Sequence, residues 1–170
     1  MNNFQFFALT QIVLSLVFGI ATLFSTKYLL DKYFKKKYLK DTSSLSYVIF
    51  SVALMFSIGL IMSGITTPVV SLIRLIENEP SIVSKLSTFL IYTLSFWGIG
   101  ILISFISLFI TMHIFISLTD EDEFKDISQG KIPSILILSV VIIVISIFVK
   151  DSFSLLLESL LPYPEIKGFS

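Results

Sequence analysis

The chain has 170 residues, of which 55% are hydrophobic, and its formal net charge is zero. A soluble domain of this length cannot bury that much apolar surface, so the composition predicts that a lipid bilayer surrounds the protein. The balanced charge gives no indication of a nucleic-acid partner. The sequence contains no cysteine, which excludes disulfides, thiol catalysis and cysteine-ligated metals.

The N-terminal segment MNNFQFFALTQ contains no lysine or arginine, and the apolar run that follows continues to about Leu30. A signal peptide has a basic start and a shorter apolar region. We therefore expect a retained membrane helix at this end.

Four segments are long and apolar enough to cross a bilayer, which takes about 20 residues of helix. They are residues 4–30, 45–73, 86–118 and 132–149. The third segment is longer than a single crossing requires, so its first turns are expected in the interface or in water.

Two further segments, 68–79 and 151–161, place apolar residues at helical spacing. Asp151 or Ser152 can cap the start of the second one. The pattern predicts short amphipathic helices that lie in the outer membrane interface. The alternative is that each segment simply continues its span into water.

The positions of lysine and arginine predict the orientation. The loop after the first span holds six lysines and the loop after the third holds two, whereas the opposite side holds four basic residues. Because basic residues concentrate on the cytoplasmic side, loops 31–44 and 119–131 are predicted to be cytoplasmic and both termini to be outside.

These two loops carry opposite net charge. The first contains the lysine cluster Lys35, Lys36 and Lys37, and the third contains the acidic cluster Asp120, Glu121, Asp122 and Glu123. The loops could attract each other within or between subunits, or bind a cytoplasmic protein. Alternatively both are solvated caps, since exposed ion pairs contribute only about 0–1 kcal/mol and are screened by salt.

The two halves of the chain have the same organisation. In residues 4–80 and 86–162, a span, a charged loop, a second span and an outer segment follow one another, and the outer segments end at Pro80 and Pro162. This predicts a duplicated hairpin within a single membrane domain of residues 1–170, with both copies pointing the same way.

Small and polar residues recur at helical spacing in the first three spans, and in the third they run from Gly100 to Thr111. The fourth span has only Ser139 and Ser146. Membrane helices pack through such residues, so the fourth helix is predicted to be the most lipid-exposed. The alternative is a polar path, whose candidate residues are Gln11, Ser15, Ser104, Ser107, Thr111 and His113.

His113, the only histidine, is the strongest candidate for chemistry within a span. A histidine can exchange a proton near neutral pH, and ionisable residues inside membranes are often functional. It is also close to the acidic loop in sequence, where it would serve as a polar anchor at headgroup depth.

Recognisable catalytic patterns are lacking. The sequence has no phosphate-binding loop, dinucleotide fingerprint or nucleophile elbow, and the acidic cluster lacks the spacing of a calcium loop. One histidine without cysteine does not form a zinc site. We expect neither enzymatic activity nor a cofactor or metal.

The segment EFKDISQGKIPSILIL, with Glu123, Asp126, Ile127 and Gly130, and the half-matching KDTSSLSYVIFSVAL resemble a family of small bacterial inner-membrane proteins. That family is catalogued as domain of unknown function 350, and the likeness covers about residues 10–162. The resemblance implies four membrane spans, a bacterial cytoplasmic membrane and an association with envelope stress. It implies no catalytic residues.

The sequence therefore predicts an all-α integral membrane protein with four transmembrane helices, arranged as two hairpin repeats with short outer helices. Its predicted function is non-enzymatic, as a structural or interaction component that contacts the lipid bilayer, a second copy or a cytoplasmic protein, but no nucleic acid. The alternative is an oligomeric channel or transporter that uses the candidate polar path.

Overall fold

The computed structural model describes residues 3–37, 45–77, 81–118, 125, 129 and 131–163. Five helices are defined in these ranges: α1 (Asn3–Lys37), α2 (Leu45–Ser63), α3 (Thr66–Ile76), α4 (Ile82–Leu118) and α5 (Ile132–Ser159). The described residues contain no β-strand. The prediction of an all-α chain is thereby confirmed.

Within the described ranges, four helical stretches are long and apolar enough to cross a membrane. They are Gln5–Lys32, Leu45–Ile76, Ile82–Phe115 and Ile132–Ser159. The second stretch combines α2 and α3. The number and order of the long apolar helices agree with the four predicted spans.

The second span is interrupted by a tight turn between α2 and α3. The N–H of Gly64 donates to the carbonyl oxygen of Ile61 at 3.0 Å, and the N–H of Ile65 donates to that of Met62 at 3.1 Å. In both bonds the donor lies three residues after the acceptor, as in a 3₁₀-helix, so the chain is wound more tightly here than in an α-helix. Pro68 lies in the first turn of α3, where a missing N–H costs little because that group has no partner within the helix.

Helix α3 coincides with the first predicted amphipathic segment, but it uses its apolar face inside the protein. Val69 and Leu72 are fully buried, and Ile73 and Ile76 are nearly so. These side chains join a core cluster with Phe89 of α4 and with residues of α5. The face that was expected to lie against lipid therefore packs on other helices.

The second predicted outer helix does not exist as a separate element. α5 continues without a break from Ile132 to Ser159, so the helix does not end near Val149, where the fourth span was predicted to end. No glycine or proline lies between Val149 and Leu161, so nothing in the sequence interrupts the hydrogen-bond ladder. At 1.5 Å per residue, α5 is about 42 Å long, which exceeds the roughly 30 Å of a hydrocarbon core.

The prediction that the fourth span is the most lipid-exposed is wrong. α5 makes its most extensive contact with α2 and also packs on α3 and α4. Ile135, Leu138 and Ile142 of α5 are fully buried. Large buried side chains of α2, among them Phe50 and Leu54, belong to the same core cluster as these residues, so the contact does not depend on many small residues in α5.

Gly64, in the turn after α2, lies close to the backbone of α5. A Cβ atom on this residue would lie 2.9 Å from the carbonyl oxygen of Lys150 and 3.0 Å from that of Ile61. Both neighbours are backbone atoms. The turn between α2 and α3 therefore packs directly on the backbone of α5, and only glycine fits there.

Polar contacts fix the helix ends. Lys85 is 7% exposed, and its Nζ donates to the carbonyl oxygen of Glu77, which closes the C-terminal end of α3. At the other end of the bundle, Tyr47 of α2 donates its hydroxyl to Oδ1 of Asp31 on α1. The same oxygen lies 3.2 Å from Nζ of Lys27. The contacts of Asp31 with Tyr47 and Lys27 thus join α1 to α2 beside the first predicted cytoplasmic loop.

Candidate functional site

A cleft of about 300 Å³ lies between α1, the turn that joins α2 to α3, and α4. We name it the α1–α4 cleft. Its polar lining includes Gln11, Ser15 and Thr22 from α1, Ser63 beside the turn, and Thr93 from α4. Its other walls are mainly apolar and aromatic.

Two aromatic pairs set the register of α1 against α4. The ring centroids of Phe7 and Phe89 are 5.4 Å apart, and those of Phe18 and Trp97 are 4.9 Å apart in a stacked arrangement. Since the residue numbers rise together in both pairs, the two helices run side by side in the same direction.

The Phe7–Phe89 pair places Gln11 and Thr93 at about the same level of the cleft. Gln11 lies four residues beyond Phe7, and Thr93 lies four residues beyond Phe89. In a helix, residues four apart lie on one face, about one turn of 5.4 Å from each other. Each of the two polar residues is therefore one turn away from the same aromatic pair.

The polar groups at the Trp97 end of the cleft are satisfied within the protein. The indole Nε1 of Trp97 donates to Oγ1 of Thr22 at 3.2 Å. The hydroxyl of Thr22 donates in turn to the carbonyl oxygen of Phe18 at 2.7 Å. These two hydrogen bonds hold α1 against α4. The indole N–H of Trp97 and the hydroxyl of Thr22 both have partners within the protein.

The groups at the Gln11 end are not fully satisfied. Nε2 of Gln11 donates to Oγ of Ser15 at 3.2 Å, but the buried Oε1 of Gln11 has no hydrogen-bond partner in the described part of the chain. Thr93 is only 3% exposed, and its Oγ1 is likewise unpartnered there. Leaving a buried polar atom unpaired costs about 1–3 kcal/mol, so both atoms would gain from a bound group.

None of the described residues that line the cleft carries a charge at neutral pH. The lining consists of amide, hydroxyl, aromatic and aliphatic groups together with two glycines. Burying an unpaired ion in such surroundings is costly. The cleft therefore suits a neutral ligand better than an ion.

The structure does not bring the six candidate residues of the polar path together. Only Gln11 and Ser15 line the cleft. Ser104 is buried further along α4, and the hydroxyl of Thr111 donates to the carbonyl oxygen of Ser107 within its own helix at 2.8 Å. These groups on α4 are separate from the cleft.

His113 lies on the exposed surface of α4. Its ring stacks on Phe109 with 4.6 Å between the centroids and 30° between the planes. It therefore faces away from the buried serine and threonine of the same helix. In this position it contacts whatever surrounds the protein.

The predicted pairing of the charged loops falls outside the described residues. Lys35, Lys36 and Lys37 end α1, but the structure describes none of their side chains, and the acidic cluster 120–123 is not described at all. The loop-pairing hypothesis stays a prediction.

Thr93 and Trp97, together with Ser63 beside the turn, are site residues that sequence analysis missed. The polar stripe predicted for α4 begins at Gly100, yet Thr93 lies seven residues earlier, on the same helical face. Extending the stripe by two turns would have included it. No sequence pattern indicates a role for Trp97, because the hydrogen bond from its indole N–H to Thr22 depends on how α1 and α4 pack.

No family model matches the chain, and neither a curated protein nor a solved structure is similar to it at a significant level. The resemblance described above therefore stays a prediction. Among the described residues, no group of three or more histidine, aspartate or glutamate side chains is placed to hold a metal ion. A functional assignment has to start from the geometry of the helices and the cleft.

Proposed function

We propose that this protein is a non-enzymatic membrane component that works by association, with itself or with a cytoplasmic protein. It crosses the bilayer four times, through α1, the α2–α3 pair, α4 and α5. The length and apolar character of these helices support the insertion.

The placement of His113 is the observation that carries the proposal. A solute path through one chain requires the strong polar groups to follow one continuous line, but His113 is exposed on α4 while Gln11 and Ser15 lie in the α1–α4 cleft. A histidine stacked on an exposed phenylalanine is better suited to contact lipid headgroups or a neighbouring protein. This favours an interaction component over a channel through a single chain.

In the proposed topology, loops 31–44 and 119–131 face the cytoplasm and both termini lie outside. In this proposal the chain lies in a bacterial cytoplasmic membrane and is linked to envelope stress, as its resemblance implies. The opposite charges of the two loops would then lie on one membrane face, where they can meet between neighbouring subunits.

The packing of α2 on α5 supports a duplicated hairpin. These helices are the second spans of the two proposed halves, 4–80 and 86–162. Gly64 meets Lys150, which is 86 positions further on, and the start of α2 at Leu45 is separated from the start of α5 at Ile132 by a similar interval. Equivalent helices that meet in parallel are expected around the axis of a parallel repeat.

The proposal is tested by native mass spectrometry of the protein in nanodiscs. We expect the wild-type chain to self-associate. A triple variant with Lys35→Glu, Lys36→Glu and Lys37→Glu should dissociate, because it places two acidic loops together. Reversing Asp120, Glu121, Asp122 and Glu123 to lysine in the same chain should partly restore assembly. Lys167→Glu, close to the C-terminal end of the sequence, serves as the control and should leave the oligomeric state unchanged.

Two results would contradict the proposal. Assembly that is unaffected by the triple reversal would identify the loops as solvated caps. A closed ring of four or more subunits that conducts ions, with a flux that depends on His113, would favour the channel instead.

A further inference from the structure

We propose that the α1–α4 cleft binds an uncharged lipid that carries a hydroxyl group, of the diacylglycerol class, through Gln11 and Thr93. This binding site is independent of the charged loops and goes beyond the interaction role proposed above.

The unpartnered atoms determine the polar part of the ligand. Oε1 of Gln11 can only accept a hydrogen bond, so its partner must be a donor. Oγ1 of Thr93 can donate or accept. One hydroxyl group can donate to Gln11 and accept from Thr93 at the same time, since both residues line the cleft about one turn beyond the Phe7–Phe89 pair. A single alcohol thus satisfies both atoms.

The walls determine the rest of the ligand. Phe18, Met62, Ile65 and Trp97 supply apolar surface, and no charged side chain is among the described residues that line the cleft. A phosphate-bearing headgroup would find no cation there, and burying it would be costly. A glycerol backbone with ester-linked acyl chains offers a hydroxyl together with apolar carbon.

The volume and position of the cleft suit a lipid that is held only in part. About 300 Å³ is at the lower end of the range for ligand pockets, about 300–1,000 Å³. It accommodates the glycerol region and the first carbons of a chain. Ile12 and Leu16 of α1 are exposed beside it, so the acyl chains can continue along the outside of α1 in the bilayer.

Trp97 provides a direct measurement, because it is the only tryptophan of the chain and it lines the cleft. The protein is placed in phosphatidylcholine nanodiscs, and diacylglycerol with brominated acyl chains is added in steps. Bromine quenches tryptophan fluorescence only at short range. We expect saturable quenching by the brominated diacylglycerol, whereas brominated phosphatidylcholine at the same mole fraction should quench weakly and without saturation.

Variants locate the binding in the cleft. Gly59 and Gly98 both have room for a side chain, because an added Cβ would have no neighbouring atom within 4 Å. Gly59 lines the cleft, whereas Gly98 does not. Gly59→Leu should therefore fill the cleft and abolish the saturable quenching, while Gly98→Leu should leave it unchanged. Gln11→Leu and Thr93→Val should each weaken binding about five- to tenfold, as the loss of one buried hydrogen bond predicts.

Thr10→Val is the matched control for the polar variants, because the Thr10 hydroxyl bonds to the carbonyl oxygen of Phe6 within α1. It should bind like the wild type. Equal quenching by the two brominated lipids would overturn the proposal and mean contact with bulk lipid only. Saturable quenching that survives Gly59→Leu, Gln11→Leu and Thr93→Val would also overturn it, since the lipid would then bind elsewhere. Size-exclusion chromatography of every variant confirms that it is folded.

Discussion

Helices α1 and α5 are both long and apolar, yet they occupy opposite positions in the bundle. α5 contains the most apolar window of the four spans and is packed tightly against α2. α1 is more polar along its length and is the least buried. The most buried of the four spans, however, is the α2–α3 stretch, whose window is less apolar than that of α5. Apolar content alone therefore does not indicate which membrane helix is central. In a bilayer, apolar surface gains nothing by leaving lipid, and close packing decides instead.

The difference arises from the partner helix. α2 and α5 share a core cluster of buried apolar side chains, and Gly64 in the turn after α2 lets that turn approach the backbone of α5 closely. α1 has its own small and polar residues, but several of these face the α1–α4 cleft or bond to carbonyls of α1 itself. Its attachment depends on a few aromatic and polar contacts.

The largest loss of stability is expected when a buried side chain is removed from the contact between α2 and α5. Phe50→Ala removes a fully buried ring and should lower the free energy of unfolding in micelles by about 3 kcal/mol, the lower end for a buried phenylalanine, because the transfer from lipid adds little. Phe56→Ala on the same helix removes a ring that is 56% exposed and should change it by less than about 0.5 kcal/mol. Similar losses from both variants would mean that the two faces of α2 are equally packed.

A smaller loss is expected from crowding the same contact. Gly64→Ala forces a Cβ against two backbone carbonyls and should cost about 1–3 kcal/mol. Gly98→Ala adds a Cβ in open space within α4 and should be neutral or stabilise the helix by up to about 1 kcal/mol. Thermal unfolding in detergent measures both variants. If Gly64→Ala is as stable as Gly98→Ala, the close approach of the turn to α5 is wrong.

The smallest effect concerns the attachment of α1. Trp97→Phe keeps a ring for stacking on Phe18 but loses the hydrogen bond to Thr22. A double-mutant cycle with Thr22→Val should give a coupling energy of about 0.6 kcal/mol, typical of hydrogen bonds between membrane helices. The same cycle with Thr111→Val should give none, because Thr111 bonds within α4. Equal coupling in both cycles would exclude a specific contact between Trp97 and Thr22.

The sequence predicts the long helices well because twenty apolar residues in a row have few alternatives. Their ends are less predictable. α1 continues beyond the predicted boundary at Leu30 to Lys37, since lysine and tyrosine are tolerated in a helix whether or not lipid surrounds them. α5 likewise runs through the predicted boundary at Val149 because no residue there stops it.

The arrangement of the helices was predictable only in part. Counting small residues helix by helix suggested a peripheral fourth span, but the large apolar side chains of α2 and α5 pack together in one core cluster and need few small residues. The candidate site was half visible: Gln11 and Ser15 stand out as polar residues in an apolar run. Thr93 was missed because one threonine among apolar residues is common, and only its position opposite α1 gives it meaning.

The burial of Lys85 has a practical consequence for mapping which side of the membrane each segment occupies. Acylating reagents that do not cross the bilayer modify accessible primary amines, and Lys85 is one of the four basic residues on the side predicted to be outside. Its Nζ, however, donates to the end of α3 beneath neighbouring side chains and is 7% exposed as a residue. We expect Lys85 to resist such labelling in the folded protein and to react only after denaturation. An unlabelled Lys85 would therefore report a folded α3–α4 corner and carry no information about sidedness.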